Sequence, residues 1–159
     1  MRTLLFTILI LAISCKSLRN NSNIGKIGNS DYYILKFEPN EKYPIFENAQ
    51  PTELTHEEIV ETEKIIKSKV DKITSEWRAE TDNEYAESEY QYDRQYIAAI
   101  NENGEKLIWI NFFCEKSLAE FYDLRKERTN TADGGKCFFQ LKVNLTKKTI
   151  IGYKFNGIA

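Results

Sequence analysis

The stretch Leu107-Ile-Trp-Ile-Asn-Phe-Phe-Cys114 constrains this chain more than any other. Outside the N-terminus it is the longest largely apolar run, and it is rich in β-branched and aromatic residues, so it reads as a central strand. Its neighbours follow from turn chemistry. Gln95 to Asn101 forms a strand, and Asn101-Glu-Asn-Gly-Glu105 places Asn103-Gly104 at a tight turn, which predicts a β-hairpin. Further on, Cys137 to Leu145 alternates cleanly. Cys137, Phe139, Leu141, Val143 and Leu145 face one way, and Phe138, Gln140, Lys142 and Asn144 the other. A last strand spans Thr149 to Phe155, with Ile151, Tyr153 and Phe155 expected on one face. The first strand spans Asp31 to Glu38. The prolines Pro39, Pro44 and Pro51 mark the loop that follows it, pinned to the core by Tyr43, Ile45 and Phe46.

Between that loop and the hairpin lies a long helix. Thr55-His-Glu-Glu58 fits a capping box, with Leu54 and Ile59 placed for a hydrophobic staple. Ile59, Ile66, Val70, Ile73 and Trp77 recur at helical spacing, while Glu61, Lys64, Lys67, Lys69 and Lys72 are expected to face water. Arg78 to Arg94 holds Glu80, Asp82, Glu84, Glu87, Glu89 and Asp93. Its spacing matches no calcium loop and it lacks the glycine such a loop needs, so it reads as a solvated linker. The expected fold class is α+β: one long helix packed on a four- to five-stranded antiparallel sheet. This strand order resembles the cystatin-like folds. The Gln-x-Val-x-Gly hairpin of that family is missing, so peptidase inhibition is not implied.

The N-terminus carries a different kind of information. Arg2 precedes the apolar run Leu4 to Ile13, which is too short to span a bilayer, since that takes about 20 apolar residues. Residues 1–14 therefore read as a signal peptide. Leu11-Ala12-Ile13-Ser14-Cys15 resembles a bacterial lipoprotein signal, although Ala12 stands where a leucine is usual. This implies lipid attachment, such as palmitate, at Cys15; ordinary signal cleavage before Cys15 is the alternative. Residues 15–30, rich in Asn, Ser, Gly and Lys, are expected to be a lipidated flexible tether, and residues 31–159 a single α+β domain. With three cysteines in the chain, acylation of Cys15 leaves Cys114 and Cys137 as a pair. One ends a strand and the other begins the next, on matching faces, which favours a disulfide suited to an oxidising compartment. Two buried free thiols are the alternative.

The net charge is −2, which does not favour a nucleic-acid partner. His56 is the sole histidine and sits at the start of the helix, so neither a zinc site nor a Ser-His-Asp triad is expected. We expect no metal, no cofactor and no enzymatic activity. If Ile108, Ile110 and Phe112 meet the helix, then Leu107, Trp109, Phe113 and Phe138 point away from it and form a candidate binding face for an envelope protein or an apolar ligand. The chain further resembles small uncharacterised bacterial lipoproteins. The residues that carry this are Tyr92-Asp-Arg-Gln-Tyr96, Gly104-Glu-Lys106, Trp109-Ile-Asn111, Cys114, Asp133-Gly-Gly135, Cys137-Phe-Phe139, Asn144-Leu145 and Asn156-Gly157. That resemblance supports the fold and implies no mechanism; lipid attachment at Cys15 implies a lipid-anchored location in the cell envelope, with Lys16 favouring the outer membrane, facing the periplasm or the surface. The expected function is a membrane-anchored, non-enzymatic binding or interaction module. A structural envelope-assembly protein and an undetected hydrolase are the alternatives.

Overall fold

The computed structural model describes residues 23–42, 44–80, 92–114, 118–129, 131 and 137–156, with backbone alone at 74, 77–80, 119 and 120. The signal peptide, Cys15, the Trp77 side chain, most of the acidic linker and the Asp133-Gly-Gly135 turn lie outside the described residues. In chain order the elements are β1 (Ile24–Ile27), β2 (Ser30–Leu35), β3 (Ala49–Pro51), α1 (His56–Glu80), β4 (Asp93–Asn101), β5 (Lys106–Phe113), α2 (Leu118–Phe121), β6 (Phe138–Asn144) and β7 (Thr149–Phe155).

The strands form one seven-stranded sheet in the order β1-β2-β4-β5-β6-β7, with β3 paired to the far end of β4. β2 and β4 are parallel, with Leu35 opposite Ile97; every other pairing is antiparallel. The expected antiparallel sheet of four to five strands in cystatin-like order is therefore corrected to a seven-stranded mixed sheet. The physical reason lies in the connections. A parallel pair needs a crossover rather than a hairpin, and α1, which lies between β2 and β4 in the chain, supplies it. The loop 36–48 returns the chain to the same edge of β4 as β3 before α1 starts.

Two further strand expectations are corrected. Residues 15–30 are not tether throughout. Ile24–Ile27 pairs with β2, Gly28 turns the chain at φ 59°, and Ile27 packs against the core. At the other edge, a register shift between Lys142 and Val143 sets Gly152 opposite Lys142 and Ile150 opposite Val143. Ile151 is the extra residue, so Ile150 packs inward and Ile151 is exposed.

The cap of α1 forms as its sequence predicts. The Thr55 amide donates to Glu58 Oε2 at 2.9 Å and the Glu58 amide donates to Thr55 Oγ1 at 3.3 Å. Ile59, Ile66 and Ile73 are fully buried against Tyr96, Ile108, Ile110, Phe112, Leu141 and Val143, each contributing roughly 2 kcal/mol. Thr62 is equally buried on this stripe. Its hydroxyl donates to the Glu58 carbonyl at 2.7 Å, which satisfies it within the helix. Phe112 and Phe139 stack across β5 and β6 with centroids 4.3 Å apart, and Tyr92 meets both edge-on.

Candidate functional site

The face of the sheet turned away from α1 follows from strand register. Leu35, Ile97, Trp109, Lys142 and Gly152 form one row across it, and Tyr33, Gln95, Asn111, Gln140 and Lys154 the next. Leu107, Trp109, Phe113 and Phe138 do point away from the helix, as their alternation predicts, but they are not an open binding face. Trp109 is 6% exposed and Phe113 1%. Leu107 and Trp109 pack under the loop 36–48 with Leu35, Phe37, Ile45 and Phe46. Phe113 and Phe138 pack under the excursion that follows β5, with Leu118, Leu124 and Cys137. The candidate aromatic face is thus corrected to two covered clusters. The reason is energetic: a contiguous patch of these rings costs too much to leave in water when two loops can reach it.

The Cys114–Cys137 disulfide closes the excursion, with a Cα–Cα distance of 5.2 Å. It spans 23 residues, and a loop of that length gains about 3 kcal/mol from the constraint on the unfolded chain. The Cys114 amide also donates to the Cys137 carbonyl at 3.2 Å. The bridge therefore anchors both ends of the segment that covers Phe113 and Phe138.

Between the two covered clusters a polar bracket holds the excursion to the sheet. Gln95 is fully buried and Asn111 nearly so. Gln95 Nε2 donates to the Leu124 carbonyl at 3.1 Å and the Glu127 carbonyl at 2.6 Å, and the Thr129 amide donates back to Gln95 Oε1 at 3.0 Å. Asn111 Nδ2 donates to Thr129 Oγ1 at 2.6 Å. Buried amides need such partners, and a loop without regular structure supplies free carbonyls and amides. Sequence reasoning passed over these residues. The visible signal was Asn111, a polar residue on the same face as Trp109 within the most apolar run of the chain.

What remains open on this face is a trough of about 1260 Å³ between the loop 36–48, the segment 125–129 and β7. Arg128 joins its two walls, pairing with Glu41 at 2.5 Å while its guanidinium lies 5.9 Å from the centre of the Trp109 ring. Lys142 rises from the floor, donates to the Ile45 carbonyl at 2.6 Å and lies 5.4 Å from the Phe46 ring. Asp123, behind the wall, engages Arg125 and Lys126, each at 2.9 Å, and the two cations hold its carboxyl well below the usual carboxylate range. The lining carries Lys36, Arg125, Lys126, Arg128, Lys142 and Lys154 against Glu38, Glu41 and Glu127. Among the described residues, neither Lys142 nor Lys154 has a carboxylate partner within salt-bridge distance. A local excess of cations on a chain of net charge −2 complements acidic groups.

Among the described residues, no group of three or more His, Cys, Asp or Glu side chains is arranged to hold a metal ion, and no helix is long and apolar enough to cross a membrane. Comparison of the chain with models of protein families, with curated proteins and with solved structures finds no match. Fold and trough together define a small protein built on a seven-stranded mixed sheet, with a loop-walled groove on the face opposite α1.

Proposed function

We propose that this chain is a membrane-anchored bacterial lipoprotein acting as a non-enzymatic interaction module of the cell envelope, tethered through Cys15, with the trough as its contact surface. The observation that carries the binding part is the trough itself. Two loops bury Trp109, Phe113 and Phe138, yet leave a groove with lysines on its floor and outer edge. Such a surface favours a partner that presents carboxylates over the apolar ligand expected from the aromatic rings alone. The anchor rests on the sequence, in which a short apolar run ends at Cys15. A structural envelope-assembly role is the second reading, and the burial of Trp109 favours it.

Two measurements test this. Membrane fractionation of cells expressing wild type and Cys15→Ser should show the variant leaving the membrane fraction; equal retention removes the lipid anchor. Crosslinking in intact cells, with wild type against Lys142→Glu/Lys154→Glu and with Lys72→Glu as a control on the opposite side, should lose a specific partner only in the trough variant. An unchanged crosslinking pattern would leave the structural role as the better account.

A further inference from the structure

On the helix side of the sheet, α1 does not close fully against the β1–β2 hairpin. A cleft of about 540 Å³ remains between them, within the usual size of small-molecule sites. Its walls include the half-buried Ile27, Val60 and Val70, with Lys26 and Lys67 at the mouth. Arg94 also lines it. By sequence this arginine flanks a solvated linker. In the fold it sits on β4 between Tyr32 and Phe112, in the row that faces α1, and is 9% exposed.

The surroundings of Arg94 do not use up its donors. A guanidinium carries five N–H groups. Nη1 donates to the Tyr92 carbonyl at 2.5 Å. Nε lies 3.1 Å from Glu63 Oε1, close enough for an ion pair but not aligned for a hydrogen bond. It is the one buried side-chain nitrogen or oxygen among the described residues left without a hydrogen-bond partner. The Glu63 oxygen it faces already accepts a short hydrogen bond from Tyr96 Oη. The lysines at the mouth are exposed and held by their own acids, Lys26 by Asp31 at 3.0 Å and Lys67 by Asp71 at 2.7 Å. Arg94 has Glu63 and the Phe112 ring beside it, and Glu63, Lys64 and Asp71 also line the cleft, yet a buried guanidinium with donors to spare is complementary to an anionic acceptor.

We propose that this cleft binds a small ligand bearing a carboxylate or phosphate group on an apolar body, with Arg94 as the anion contact and Ile27, Val60 and Val70 receiving the apolar part. The proposal is independent of the trough.

The test uses the oxidised full-length chain bearing Cys15→Ser, which stays unacylated. Inorganic phosphate and hexanoate are titrated at constant ionic strength while backbone amide resonances are followed. Saturable shifts clustered at residues 26–28, 60–67 and 94 are expected with at least one probe. Saturation by hexanoate alone assigns a carboxylate ligand, and by phosphate alone a phosphorylated one. The double variant Arg94→Gln/Glu63→Gln, which removes both buried charges together, should weaken binding at least about tenfold while keeping a cooperative unfolding transition. Val60→Phe fills the cleft without touching Arg94 and should weaken hexanoate binding similarly. Shifts that rise without saturating for both probes would overturn the proposal, as would saturable binding that both variants leave unchanged.

Discussion

The two faces of the sheet are solved by different means. The face toward α1 is closed by one regular element whose isoleucines fall on a single stripe, and its core is continuous from Ile59 to Val143. The opposite face is closed by irregular chain. It has two separate apolar clusters, with buried amides and a groove between them. Periodic cover is continuous and apolar. Loop cover must satisfy its own backbone, so it brings polar groups inward and cannot seal a surface evenly.

The comparison can be broken at four points of decreasing effect. Ile110→Ala removes a fully buried side chain beneath α1, where the stiff helix cannot collapse into the space. It should cost about 4 kcal/mol in urea unfolding. Cys114→Ser/Cys137→Ser should cost about 3 kcal/mol and speed hydrogen exchange in residues 118–129 more than in α1. Gln95→Ala strips the bracket of its centre and leaves Thr129 N–H and two carbonyls unpaired, at about 2 kcal/mol. Its mark should be faster exchange at the Thr129 amide with the Ile108 and Ile110 amides unchanged. An equal rise on both faces would show that the two covers are not separable. Thr55→Ala should cost about 1 kcal/mol, read as a small drop in unfolding midpoint with the far face undisturbed.

One local feature sharpens the contrast at the hairpin β1–β2. A Cβ at Gly25 would clash with the Tyr32 ring and its Oη, because that side chain crosses β1 to share a 2.9 Å hydrogen bond with His56 Nδ1. Gly25→Ala should displace Tyr32 and break the link between β2 and the start of α1. The check is a change at the His56 ring resonances with the far-face amides unmoved.

Features whose interactions are local were legible in the amino-acid order alone. Asn103-Gly104 gives the β4–β5 turn, with Gly104 at φ 74° and the Gly104 amide donating to the Asn101 carbonyl at 2.9 Å. Thr55 and Glu58 cap α1, alternation assigns the two faces of β5 and β6, and strand ends bring Cys114 to Cys137. Each of these depends on residues close in the chain or on a period of two or of 3.6. The parallel pairing of β2 with β4, the bulge at Ile151, the burial of Trp109 and the placing of Arg94 were set by long-range packing. Those outcomes depend on which distant segment arrives beside which. Glu41 reaches Arg128 and Leu124 reaches Gln95 across gaps that no periodicity encodes, and the energy that selects them is available only once the whole sheet is in place.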